Sequence, residues 1–229
     1  MKNQKTLKMV QMAILIAVLL VMSFTPLGYL KIGLLSISLL TIPVVIGAML
    51  IGPAAGAVLG AVFGLTSFAQ CFGADAFGAM LLSINPFFTF LVCVPTRILM
   101  GFLAGLIFKG IHKIDKTKTI SYFIGGLSGA VLNTVFFMGL LMLFFWSTPY
   151  MQEINAAMGG LGLWAFLVAF VGINGVVEAI VACAAGGVIR RNRAALAGSM
   201  YCAAFGEMRC FSLWLLRIIV LSGACWGCF

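Results

Sequence analysis

Six stretches of this chain, at approximately 9–25, 35–52, 54–70, 88–108, 120–146 and 161–189, are apolar and almost free of charge. Each approaches or exceeds the ~20 residues that an α-helix needs to cross a bilayer. Backbone amides and carbonyls in hydrocarbon must pair within the segment or around a closed barrel. These runs are too continuously apolar for barrel strands, which alternate between two environments. The sequence therefore predicts an all-α integral membrane protein, a compact bundle of six transmembrane helices. Composition agrees, since only 8% of the 229 residues are charged where a soluble domain carries about 25%.

The 14 Lys and Arg residues outnumber the 5 Asp and Glu residues, and their placement sets the topology. Lys2, Lys5 and Lys8, then Lys109, Lys113, Lys116 and Lys118, then Arg190, Arg191 and Arg193 cluster at span ends. By the positive-inside rule all three clusters belong in the cytoplasm, so both termini of the bundle are expected there. The excess of positive charge is thus a topology signal, and no nucleic-acid partner is implied. The connections 26–34, 71–87 and 147–160 face outward. "TPLGYLKIG" after the first apolar run lacks a small-x-small cleavage site, so that run reads as an uncleaved first helix.

Small residues mark where helices approach each other. Gly52, Gly56, Gly60 and Gly64 recur every four residues in "GPAAGAVLGAVFG", which puts them on one helical face. Ala13 and Ala17 are one turn apart in the first helix. Their spacing fits either ordinary packing or a flat strip for docking another membrane helix.

Arg97 is the costly residue. It lies 12 residues before Lys109, hence ~18 Å into the membrane. Glu178 lies 12 residues before Arg190, at comparable depth, and Asn174 is one turn away from it. Asn133 lies 15 residues after Lys118, ~22 Å up its helix. An intramembrane charge costs about 2.5–3.5 kcal/mol on insertion scales and usually faces an interior or a cavity. Two readings stand side by side. Arg97 and Glu178 form a structural pair, or Arg97 receives an anionic ligand while the asparagines add directional hydrogen bonds. A planar guanidinium suits a carboxylate better than an ammonium does.

No enzyme chemistry is supported. There is no GxxxxGK[ST] and no HExxH, and the single histidine, His112, sits in a basic loop. No Ser–His or Cys–His pair can be assembled in the spans, and neither a cofactor nor a metal site is expected. An ion-coupled secondary transporter of a small organic acid is the rival class. It would call for internal repeats, and no convincing one relates the two halves, and for intramembrane acids, of which few are available.

The segment "TPLGYLKIGLLSISLLTIPVVIGAMLIGPAAGAVLGAVFGLTSF" (25–68) and "VPTRILMG" around Arg97 resemble the substrate-binding S components of energy-coupling factor (ECF) vitamin transporters. Within that family the chain is most similar to the pantothenate-type branch, over roughly residues 7–190. The resemblance implies a subunit of the bacterial plasma membrane that captures a vitamin outside the cell with high affinity. A shared transmembrane coupling subunit and two ATP-binding-cassette ATPases would drive uptake, and Ala13 and Ala17 would be the docking strip for that subunit. Arg97 would meet the carboxylate of pantothenate, with Asn133, Asn174 and Glu178 around it. Thr66, Asn85 and Trp164 are further pocket candidates. Folate would also call for an arginine, and riboflavin for more aromatic stacking.

The organisation expected is thus a membrane domain over 1–190 and an extension of unknown role over 191–229. The extension carries Cys202, Cys210, Cys225 and Cys228, of which the last two form CxxC, but the first pair is too widely spaced for a zinc site. It reads as poorly constrained, with a reading-frame change near the end of the gene as one explanation.

Overall fold

The structure, a computed structural model, describes residues 2–25, 28–32, 35–115, 120–157, 159–160, 165, 168, 175, 179 and 180. Among these residues the chain forms α1 (Lys2–Phe24), β1 (Tyr29–Ile32), β2 (Leu35–Ser38), α2 (Thr41–Leu50) and α3 (Pro53–Gln70). It continues through α4 (Ala76–Ile84), α5 (Pro86–Ile114), α6 (Ile120–Phe145) and α7 (Pro149–Ala157). Four helices, α1, α3, α5 and α6, are long and apolar enough to cross a membrane. They coincide with the first, third, fourth and fifth expected spans.

The second expected span, 35–52, is not one helix. It divides into β2 and the ten-residue α2, and Pro43 supplies a physical reason. A proline lacks the N–H that a helix interior needs and fits best in the first turn, although the longer α5 carries Pro95 in its interior. The helix therefore starts at Thr41, whose hydroxyl donates to the Ser38 carbonyl at 2.8 Å. The residues before it pair with β1 in an antiparallel ribbon, Tyr29 opposite Ser38 and Ile32 opposite Leu35. Ten helical residues rise ~15 Å, about half of a ~30 Å hydrocarbon core. Thus α2 does not span by itself, and the helical expectation is corrected at 35–38, while the expected connection before it carries β1. Of the sixth expected span, only positions 165, 168, 175, 179 and 180 are described, all of them helical. The extension 191–229 lies outside the described residues.

The glycine ladder sets the closest helix contact. A Cβ on Gly56 would fall on the Gly101 carbonyl of α5, and one on Gly60 would fall on the Arg97 carbonyl. On Gly64 it would stand 2.8 Å from the Val94 Cα. The absent side chains let two antiparallel backbones touch along three turns, which is how helices pack where lipid offers no hydrophobic drive. Gly52 departs from this expected stripe. It lies outside α3 with φ of 132° and serves the α2–α3 turn, a conformation that favours glycine.

Two apolar clusters organise the rest. One gathers Leu15 and Leu19 of α1 with Val44, Leu59, Phe63 and Met100. The other lies where the expected connections 71–87 and 147–160 turn out to carry α4 and α7. There Phe77 and Leu81 meet Met142, Phe145, Met151 and Ile154. These helices cap the end of the bundle at which α5 begins. Asp75 starts α4 by accepting from the Gly78 N–H at 2.9 Å, a side-chain N-cap. Burial, and then the Asp75 carboxylate, push the Tyr150 phenol above its usual pKa.

Candidate binding site around Arg97

Side chains on a helix lean toward its N-terminus. Accordingly the Arg97 guanidinium reaches back one turn along α5, where Nη1 donates to the Cys93 carbonyl at 3.0 Å. Its central carbon lies 4.5 Å from the centroid of the Phe63 ring and 5.1 Å from that of Phe137. Phe63 comes from α3, held against α5 by Gly60 and Gly64 on either side of it. Phe137 comes from α6. The arginine is only 6% exposed, and its Nε has no hydrogen-bond partner among the described residues. Among the described residues no carboxylate pairs with it.

The other expected site residues fall into three groups. Asn133 is buried on α6, one turn before Phe137 and therefore on the face of α6 that carries that ring. Thr66 is buried three residues beyond Phe63, and its hydroxyl donates to the Phe63 carbonyl at 2.9 Å. Asn85 serves α5 as its N-cap. Its Oδ1 accepts from the N–H groups of Phe87 and Phe88 at 3.1 and 3.3 Å, which leaves only its amide nitrogen for anything else. Asn174, Glu178 and Trp164 lie outside the described residues, so the expected Arg97–Glu178 pair does too. On α1, Ala13 and Ala17 are exposed, in line with exposed Met9, Leu20 and Phe24 and turned away from buried Leu15 and Leu19.

Phe63 and Phe137 were not among the residues expected at the site. Their signal in the sequence is positional. Phe63 sits inside the glycine ladder, three residues before Thr66, and Phe137 follows Asn133 by one turn. What brings both rings to one guanidinium is the close approach of α3 and α6 to α5, which spacing along single helices does not reveal.

A fixed cation in apolar surroundings, with donors left over, is equipped to bind an anion. A family model described as "ECF transporter, substrate-specific component" matches residues 7–185, most of the chain. The chain belongs to this family. It is thus a multi-pass membrane protein and the substrate-binding component of an ECF transporter, a binding subunit and not an enzyme. Such a substrate-specific component takes a small molecule and works with the partners of an ECF module. No curated protein matches the chain.

Proposed function

We propose that this substrate-specific component captures a carboxylate-bearing vitamin, with pantothenate as the best fit, from the capped end of the bundle. The observation that carries the reading is the buried Arg97, whose Nε is unpartnered. The desolvation cost of a guanidinium is high unless it gains a partner. A ligand carboxylate approaching the Nε edge would supply one, with two parallel charge-assisted hydrogen bonds. Pantothenate also has hydroxyl and amide groups, which suit Asn133 and Asn174. Thr66, Trp164, Glu178 and the Asn85 amide nitrogen complete the candidate set.

The capped end would face outward in a bacterial plasma membrane, since Lys5, Lys8 and Lys109 mark the other end as cytoplasmic. Energy for uptake would come from a coupling subunit and two ATPases, with the Ala13–Ala17 strip as the docking surface. Mass spectrometry of small molecules released from the purified protein tests the substrate. Pantothenate at near-equimolar yield is expected. Another vitamin would overturn the substrate and keep the class, and an empty protein that ignores added vitamins would overturn the reading. The Arg97→Ala variant should stay monodisperse and lose pantothenate affinity by more than about a hundredfold, as for a charge-assisted contact in a buried site. If Arg97→Ala and Glu178→Ala both aggregate, Arg97 is a structural ion pair.

A further inference from the structure

We propose that Phe63 and Phe137 are positioning residues that hold the Arg97 guanidinium without consuming its donors, and thereby make the site selective for carboxylates. This inference rests on Arg97 being the ligand's anchor. A buried guanidinium can be compensated in two ways. A resident carboxylate compensates it in the plane of its N–H groups and occupies them. An aromatic face compensates it through the ring quadrupole and leaves those N–H groups available. Here two rings approach the central carbon, at 4.5 and 5.1 Å. Among the described residues Arg97 takes one hydrogen bond, from Nη1 to the Cys93 carbonyl, and Nε stays unpartnered and buried. The rings therefore compensate the cation and leave it donors to offer.

Both rings are themselves fixed, and by different parts of the molecule. Phe63 is fully buried in the cluster that α1 shares with α3. Phe137 packs against the cluster under α4 and α7. An anchor fixed in this way loses little freedom on binding, which favours the ligand group whose planar geometry it matches.

The test uses the full chain in detergent, with pantothenate and its neutral alcohol analogue panthenol as probes. Phe137→Leu keeps apolar volume and removes the ring. It should weaken pantothenate about tenfold, the scale of one desolvated cation–π contact, and change panthenol affinity less than about twofold. Phe137→Tyr keeps the ring at a half-buried position and should restore pantothenate binding. Phe63→Leu should repeat the loss from the other helix, as a second variant independent of how Phe137→Leu folds. Equal weakening of both probes, or no change in either, would overturn the proposal. Wild-type protein that binds neither probe, or Arg97→Gln with full pantothenate affinity, would sink the anchor reading itself and the proposal with it.

Discussion

Arg97 depends on residues that have no side chain. Gly60 and Gly64 lie against the α5 backbone at Arg97 and Val94, and Phe63 between them contacts the guanidinium. A side chain at 60 would have to push α3 away from α5. Gly60→Val should therefore destabilise the protein by about 1–3 kcal/mol, the usual cost of overpacking, and should weaken pantothenate binding as Phe63 retreats. Gly139 provides the control, since a Cβ there would meet nothing within 4 Å. Gly139→Ala should leave binding unchanged and stability equal or slightly higher. Thermal unfolding and ligand titration of the two variants check both statements. If Gly60→Val matches wild type in both, the ladder does not position the site.

At the scale of elements, one candidate ligand residue also starts a helix. Asn85 reads as a polar residue near an outer helix end, and the structure places it as the N-cap of α5. Asn85→Ala should cost about 1 kcal/mol of stability, the usual loss for a cap. Asn85→Asp separates the two roles, because it keeps the acceptor and adds a negative charge that helix N-termini favour. It should retain stability and lose pantothenate affinity, since the amide nitrogen proposed to meet the ligand is gone. Unchanged affinity in Asn85→Asp would confine Asn85 to capping.

For the whole molecule, α1 has two faces, one buried against the bundle and one exposed. Leu15 and Leu19 enter the cluster that contains Phe63, and Gln70 Nε2 ties the ends of α3 and α1 together by donating to the Ser23 carbonyl at 2.6 Å. Ala13 and Ala17 are exposed on the other face. An indole at position 13 would therefore project away from the site. Ala13→Trp should preserve ligand affinity and thermal stability while abolishing transport and co-purification with the coupling subunit. Loss of ligand binding as well would sink the docking assignment.

The sequence by itself determined the solvent, because runs such as 120–146 can satisfy their backbone in lipid only as helices. It also determined that the glycines at 56, 60 and 64 share a face, since that follows from the helical period alone. Arg97 was legible as exceptional because its cost is a property of one residue in one apolar run. Pro43 was visible too, but the turn at 41 and the ribbon at 29–38 depend on β1 being present to pair with β2. Only the tertiary structure decided what surrounds Arg97. Phe63, Phe137 and the Cys93 carbonyl come from three helices, and their meeting depends on how closely those helices approach, which no periodicity along a single helix records.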